Sequence, residues 1–209
     1  MKFIKREFFK DEKLFADKTL CEENVFGIAD GMGVRGTGKI AAEIAINTVK
    51  EFIPIKTAYD VERVFKEANR RIIKEITKYG DDLMCGTTLS ILILEEDKFL
   101  IGHVGDSRIY LLRGENIELL TVDQVEFKKG KKYINALGTV WKPEVYLKEG
   151  GLYKGDIFLL ISDGIVNFLS EGELKHLIDY DMESSAERII GKYKEYSSGD
   201  DLSLILVYL

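Results

Sequence analysis

Three apolar, β-branched runs that follow one another closely constrain the fold of this chain more than any other feature. They span Thr87–Leu94, Phe99–Val104 and Arg108–Leu112, and the turn sequences Glu95–Asp97 and Gly105–Asp106 lie between them. Runs of this length and composition are typical of buried β-strands. Because a crossover to a parallel strand needs about a dozen residues or more, these short separations predict an antiparallel meander.

Helical patterns flank this meander. Apolar residues recur at three- and four-residue intervals in Lys39–Phe52 and in Val61–Tyr79, which is typical of amphipathic helices. Capping-box sequences that begin at Ser170 and Ser184 predict two later helices. Further strands are predicted at Val25–Ala29, Glu144–Lys148, Ile157–Ile161 and Leu202–Tyr208. Antiparallel strands with helices inserted in pairs predict an α+β layered architecture.

Composition and charge exclude several classes of protein. The 209 residues are enough for one domain with a large core, and we expect a single domain over residues 1–209. The net charge of −6 argues against nucleic-acid binding, which needs a basic surface. No stretch has the length of an apolar membrane span or of a signal-peptide core. Cys21 and Cys85 do not make a disulfide framework. We therefore expect a cytoplasmic monomer without a membrane partner.

Four short segments place an aspartate at the end of an apolar run. They are Asp30 in Phe26–Gly33, Asp106 in Gly102–Arg108, Asp163 in Phe158–Gly164, and Asp200 in Gly199–Ser203. Asp-Gly and Gly-Asp steps are typical of turns at strand ends, so a sheet would gather these carboxylates at one rim. Like charges that close together cannot all stay ionised unless cations lie among them. Oxygen ligands without Cys or His favour Mg²⁺ or Mn²⁺, so the pattern predicts a hard-metal site.

The four segments, in this order, resemble those of the metal-dependent protein serine/threonine phosphatases of the PP2C (PPM) family. The resemblance is greatest to compact bacterial members, which carry the Asp-Gly-Met-Gly sequence found here at Asp30–Gly33, and it runs from about Phe15 to the last residue. It implies an α-β-β-α sandwich of two antiparallel sheets flanked by helix layers. It also implies that a hydroxide bridging two Mn²⁺ or Mg²⁺ ions hydrolyses phosphoserine and phosphothreonine in proteins, which are the targets of a serine/threonine kinase.

The resemblance assigns roles to the carboxylates. Asp30 would bridge the two metals beside the Gly31 carbonyl, and Asp163 and Asp200 would complete the first metal, so that these aspartates act in catalysis through the metals. The family has Asp-Asn where this chain has Asp200 and Asp201, which leaves the local charge open. Asp106 has two interpretations: a ligand of a third metal, as in bacterial members, or a turn residue that hydrogen-bonds nearby amides.

The N-terminal part departs from the family pattern. An Asn-Glu-Asp segment is represented only by Asp17, which the resemblance expects to hold the second metal through water. The family's phosphate-binding arginine is absent, and Arg35 and Lys13 are candidate substitutes, although a solvated surface position is the favoured interpretation of either one. These departures leave a non-catalytic phosphoprotein-binding relative as the alternative function.

The segment that forms a flap in the family is short here, since few residues separate Leu120 from Ala136–Gly138. A shortened flap predicts an open, less selective site. His103 lies in an alternating strand sequence and is expected to be a packed residue rather than a ligand.

Overall fold

Two five-stranded antiparallel sheets form the centre of the protein. The computed structural model describes residues 1–8, 15–34, 36–79, 85–128, 130–166, 168–196 and 201–209. The strands in these ranges are β1 Lys2–Phe8, β2 Lys18–Glu22, β3 Val25–Ala29, β4 Gly31–Met32, β5 Gly86–Thr87, β6 Leu89–Leu94, β7 Lys98–Val104, β8 Arg108–Arg113, β9 Asn116–Leu119, β10 Val125–Lys128, β11 Lys131–Ile134, β12 Tyr146–Gly151, β13 Ile157–Ile161 and β14 Leu202–Tyr208. Sheet I has the order β1-β14-β13-β8-β9, and sheet II has the order β12-β7-β6-β3-β2.

The helices cover the outer faces of the sheets. They are α1 Thr37–Glu51, α2 Ala58–Ile76 with a following 3₁₀ turn at Thr77–Tyr79, α3 Asp163–Val166, α4 Glu171–Leu177 and α5 Met182–Tyr196. Apolar residues of α1 and α2 share a core with sheet II, and those of α4 and α5 share a core with sheet I. None of the described helices combines the length and the apolar character that crossing a membrane requires.

A third core lies between the sheets, and the alternation of side chains along the strands explains it. In β3, Phe26 and Ile28 face this inner core, whereas Val25 and Ala29 face the helices. In β14, Ile205 and Val207 likewise face inward. A strand buried on both faces is apolar at every position, which is why these runs are continuous in the sequence. The α-β-β-α sandwich is therefore confirmed.

Helix starts follow the capping chemistry rather than the apolar stripe. Helix α2 begins three residues before its predicted start because Thr57 and Asp60 form a capping box. The predicted box at Ser170 is confirmed at the start of α4. The predicted start at Ser184 is wrong: α5 begins at Met182, and Asp181 accepts hydrogen bonds from the Ser184 amide at 3.2 Å and hydroxyl at 2.8 Å. Ser184 is thus a donor to the cap and not the cap itself.

The predicted strand Thr87–Leu94 is divided at Thr88. There the chain leaves the ladder of sheet II, because the Thr88 amide donates to the main-chain oxygen of Asp30 at 2.9 Å. Strands β4 and β5 form a small separate ladder in which Gly31 faces Thr87. The division therefore brings the Asp30 turn against the next strand of the sheet.

Candidate metal centre

The strand register explains how aspartates distant in sequence come to one rim. In sheet II, Lys18 faces Ala29 across the β2–β3 pair, so that Asp17 and Asp30 leave adjacent strand ends. In sheet I, Ile161 faces Leu204 across the β13–β14 pair, and Asp163 follows the end of β13. The turn that contains Asp106 connects β7 of sheet II with β8 of sheet I. Both sheets therefore contribute carboxylates to the same edge of the sandwich.

Electrostatic coupling shows that the four side chains share one site, which we call the carboxylate cluster (Asp17, Asp30, Asp106 and Asp163). Burial raises the pKa of Asp30 well above its ordinary value, and the charges of Asp17, Asp163 and Asp106 raise it further. Burial also raises the pKa of Asp17 to about 7, although the side chains of Ser203 and Ser162 lower this pKa in part. Without cations, these carboxylates oppose one another's ionisation.

The cluster has the donor chemistry that a hard cation requires. Asp17 is 2% exposed, and its Oδ2 has no hydrogen-bond partner among the described residues. A buried carboxylate oxygen without a partner is costly, and a divalent cation that binds oxygen would compensate it. Within the described ranges, no group of three or more Asp, Glu, His or Cys side chains is arranged so that it could hold a metal ion without a further ligand. Asp200, the remaining ligand predicted from the sequence, lies outside the described residues.

Close approach of the main chain explains the glycines that follow Asp30 and Asp163. A Cβ at Gly31 would lie 2.3 Å from the main-chain oxygen of Gly38 at the start of α1. A Cβ at Gly164 would lie 1.9 Å from the main-chain oxygen of Asp201. The φ of Gly31 is not among the positive values of this chain. A positive φ therefore does not explain this glycine, and its close packing against α1 does.

Three hydroxyl side chains missed by the sequence analysis support the Asp30 turn. The Asp30 amide donates to Thr88 Oγ1 at 2.9 Å, and Thr87 Oγ1 donates to the Asp30 carbonyl at 2.9 Å. Thr88 Oγ1 lies 3.0 Å from the hydroxyl of Ser107, which follows Asp106. A pair of threonines at a strand break was the only sequence signal for this support.

Asp106 lies beside a lysine from the segment predicted as a shortened flap. Strands β10 and β11 pair with each other in antiparallel register, and we call this pair the site hairpin. Lys132 Nζ lies 2.7 Å from Asp106 Oδ2 and 3.4 Å from Asp163 Oδ2. The flap position was predicted from the sequence, but nothing in it distinguished Lys132 from the neighbouring lysines.

Asp201 also has a defined position. Its Oδ2 accepts a hydrogen bond from the Ala16 amide at 3.3 Å, and its charge is one of the causes that raise the pKa of Asp17. Asp201 therefore fixes the chain just before Asp17 and adds negative charge there. The two candidate phosphate-binding residues, Arg35 and Lys13, lie outside the described residues.

His103 and Arg108 have structural positions. His103 is buried, with Nδ1 2.8 Å from Ser90 Oγ and Nε2 3.1 Å from the Val122 carbonyl, and burial lowers its pKa to about 4. The prediction of a packed histidine is confirmed. Arg108 makes a two-pronged ion pair with Asp123, at 2.7 Å from Nη2 and 3.0 Å from Nε. Both side chains stabilise the β7–β8 region next to the cluster.

Comparisons with known proteins point to one family. A model of the protein phosphatase 2C family matches residues 11–202. The serine/threonine phosphatase stp of Listeria monocytogenes serovar 1/2a is 28% identical, and the alignment covers 86% of this chain and 82% of that protein. The protein phosphatase PhpP of Streptococcus pneumoniae serotype 2 is also 28% identical, with 86% and 83% covered.

Solved structures share the fold at lower identity. PppA, a component of T6SS in Pseudomonas aeruginosa, has a TM-score of 0.87 at 21% identity and covers 100% of this chain and 97% of its own. The catalytic domain of the serine/threonine protein phosphatase PstP in complex with two manganese ions has a TM-score of 0.86 at 21% identity, with 98% and 96% covered. The family match spans nearly the whole chain and includes Asp17, Asp30, Asp106 and Asp163, and the chain therefore belongs to the protein phosphatase 2C family.

Proposed function

We propose that this protein phosphatase hydrolyses phosphoserine and phosphothreonine in proteins at the carboxylate cluster, with Asp200 completing the site. The observation that carries the proposal is the convergence of Asp17, Asp30 and Asp163 from two sheets, where burial and mutual repulsion raise the pKa of Asp30. Crowded carboxylates with strongly raised pKa values are typical of functional sites. The names of the curated relatives, serine/threonine phosphatase and protein phosphatase, support the substrate class.

We assign Asp30, Asp163 and Asp200 to the first cation, Asp30 and, through water, Asp17 to the second, and the Gly31 carbonyl to the same pair of cations. The cations would be Mn²⁺ or Mg²⁺, since every assigned donor is an oxygen. When bound, they supply Lewis-acid polarisation of the phosphoryl group and a nucleophile from water at neutral pH. The manganese complex of PstP, which has the same fold, supports two ions.

The protein's own contribution is to hold the donors rigidly. Thr87 and Thr88 fix the main chain of Asp30 from the adjoining strand, at 2.9 Å each. The Ser162 hydroxyl accepts from the Ser203 amide at 2.9 Å and so joins the strand ends that carry Asp163 and Asp201. Donors fixed before substrate binds require no reorganisation during the reaction. The site is therefore organised for charge neutralisation at a phosphoryl group rather than for covalent catalysis.

We also infer the source of the substrates, the openness of the site and the domain organisation. The substrates are proteins phosphorylated by a serine/threonine kinase, the site is open because the site hairpin is short, and the whole chain is one catalytic domain. The unpaired Cys21 and Cys85 support a reducing compartment such as the cytoplasm. The protein acts as a monomer, which sedimentation equilibrium at working concentrations would test.

The decisive experiment measures phosphate release from phosphoserine, phosphothreonine and phosphotyrosine peptides with Mn²⁺, with Mg²⁺ and after chelation. We expect metal-dependent release from the first two peptides, no release after chelation, and strong loss in Asp163→Asn. Asp97→Asn is the matched control, because Asp97 lies in the exposed β6–β7 turn. Full activity after exhaustive chelation would contradict the metal mechanism. Phosphopeptide binding without turnover in Mn²⁺ would instead support the non-catalytic alternative.

A further inference from the structure

Asp106 is a buried carboxylate that needs a positive partner. Its side chain is 5% exposed, and it lies close enough to Asp30 to raise the pKa of that residue. A buried carboxylate next to other carboxylates is strongly unfavourable unless a cation accompanies it. In the described part of the chain, the ion pair of Asp106 is with Lys132, at 2.7 Å. The contact is an ion pair by distance, and among the described residues Asp106 Oδ2 has no partner with hydrogen-bond geometry, so the ammonium charge is what compensates this oxygen.

Lys132 reaches Asp106 from an element that is otherwise turned toward solvent. Phe127 and Tyr133 of the site hairpin are 77% and 43% exposed, whereas the Lys132 side chain is 38% exposed with its ammonium between Asp106 and Asp163. Strands β10 and β11 pair only with each other among the described strands. The Lys132 contact therefore does not follow from burial of the hairpin in a core.

The base of the hairpin is tied to the turn that carries Asp106. The Gln124 amide donates to the Gly105 carbonyl at 2.8 Å, and the Gly105 amide donates to Gln124 Oε1 at 3.0 Å. At the other end of the hairpin, Asn135 Nδ2 donates to Gln124 Oε1 at 2.9 Å. Both hairpin strands thus start from a fixed point next to Asp106, which sets the reach of the Lys132 side chain.

We propose that Lys132 is the resident cation of the Asp106 position, so that an ammonium group supplied by the chain takes the place of a third divalent ion. This inference rests on the proposed function. Asp106 and Asp163 are neutralised by one residue of the site hairpin, and the centre operates with two divalent ions. A further divalent ion at Asp106 must displace the ammonium and leave it without its carboxylate partner, which weakens binding at that position.

The proposal connects the hairpin to the metal centre. Because Lys132 Nζ lies 3.4 Å from Asp163 Oδ2, and Asp163 is also assigned to the first cation, we expect the hairpin position to depend on the charge at that ligand. When the first cation occupies Asp163, Lys132 retains Asp106 as its partner. Lys132 is thus a positioning residue for the hairpin and the cluster, and its role can be measured without following turnover.

The first test counts bound Mn²⁺ from the loss of the free-ion EPR signal, using the full chain and its Lys132→Met, Lys128→Met and Lys132→Met/Asp106→Asn variants. Methionine keeps most of the side-chain volume but removes the charge. Lys128 is the matched control, since it lies on the same hairpin and pairs with Glu126. We expect two ions in the parent and in Lys128→Met, a third and weaker ion in Lys132→Met, and two again in the double variant.

The second test is the melting temperature of the metal-free proteins. Lys132→Met leaves Asp106 unpaired among carboxylates, and we expect its melting temperature to fall by about 5 °C or more, with recovery in the double variant. Lys128→Met should match the parent. These comparisons also show whether each variant is folded before its ions are counted.

The outcomes separate the two proposals. Equal ion counts and equal melting temperatures for Lys132→Met and the parent would overturn the role of Lys132, and a parent that binds three ions would overturn it as well. A parent that binds no Mn²⁺ would instead contradict the proposed metal centre itself.

Discussion

At the scale of single residues, the structure separates aspartates of different importance that look alike in the sequence. Asp17 and Asp201 are both acidic residues beside strand starts. Asp17 is buried with an unpartnered oxygen, whereas Asp201 holds the Ala16 amide. In the sequence, Asp17 is the one residue that matches the family's Asn-Glu-Asp segment, because Phe15 and Ala16 stand where the family has Asn and Glu. Its burial depends on β2, which the apolar pattern did not predict.

The first prediction compares Asp163→Asn with Asp17→Asn in a Mn²⁺ titration of phosphatase activity. Asp163→Asn removes an anionic donor from the first cation, and turnover should fall by ~10²–10⁴-fold without recovery at high Mn²⁺. Asp17→Asn should mainly raise the Mn²⁺ concentration for half activity, with turnover largely recovered at saturation, because a carboxylate that acts through water stabilises a cation less.

The control for this titration is Asp97→Asn, whose curve should coincide with that of the parent. Circular dichroism should show all three variants folded. A curve for Asp17→Asn identical to the parent would mean that this buried carboxylate does not contribute to the second cation.

At the scale of elements, predictability followed the number of buried faces. Strands β3, β13 and β14 are apolar at nearly every position, and their predicted bounds are confirmed. Strand β1 has only Ile4 buried at the edge of sheet I, and no pattern indicated it. The site hairpin was missed for the same reason, since it packs in neither main sheet. The contact between Lys132 and Asp106 depends on the length of the lysine side chain and on the hydrogen bonds that hold Gln124 to Gly105. Sequence periodicity does not indicate either of them.

The Asn69 side chain joins α2 to the segment after the site hairpin, and we call its hydrogen bonds to Gly138 and Val140 the clamp. Asn69, buried on α2, accepts from the Gly138 amide at 2.7 Å and donates to the Val140 carbonyl at 3.0 Å. Leu137, next to this segment, forms two main-chain hydrogen bonds with Thr87, at 2.9 and 3.0 Å. The helix is thereby connected through two short contacts to the strand that supports Asp30.

We predict that Asn69→Ala lowers the free energy of unfolding by about 2 kcal/mol or more, because it leaves buried main-chain groups without partners. For a chain of this size, the melting temperature should fall by about 4–8 °C. Thermal unfolding checks this, with Asn47→Ala on the exposed face of α1 as the control. A loss for Asn69→Ala no larger than for Asn47→Ala would show that the clamp does not stabilise the segment.

At the scale of the whole molecule, the site is a property of the interface between the sheets. Sheet II supplies Asp17 and Asp30, sheet I supplies Asp163, and the β7–β8 turn that carries Asp106 crosses between them. Sequence periodicity predicted strands and helices but not how the sheets stack. In a strand that is buried on both sides the two faces are equally apolar, so the pattern does not show which face packs against the other sheet. The stacking was available only from the family resemblance. Both sheets must be in place to form the cluster. Repulsion among its carboxylates therefore lowers the free energy of unfolding of the whole domain.

The metal-free protein should therefore lose stability as pH rises from 6.5 to 8. The folded-state pKa of Asp17 is raised to about 7 and that of Asp30 well above its ordinary value, so the folded state holds protons that the unfolded state has released. Stability then falls as pH rises through the folded-state values, by about 1–3 kcal/mol over this interval. The burial-lowered pKa of His103 has the opposite effect, and this effect fades as pH rises through 6.5, where the unfolded chain loses the proton of this histidine.

The measurement is the melting temperature between pH 6.5 and 8, after chelation and again with saturating Mn²⁺. The slope should disappear with Mn²⁺, because a bound cation keeps the carboxylates ionised in the folded state as they are in the unfolded state. Asp17→Asn should reduce the metal-free slope and leave the part due to Asp30, whereas Asp97→Asn should keep the slope of the parent. A metal-free melting temperature that does not change over this interval would mean that the carboxylates are not crowded in solution.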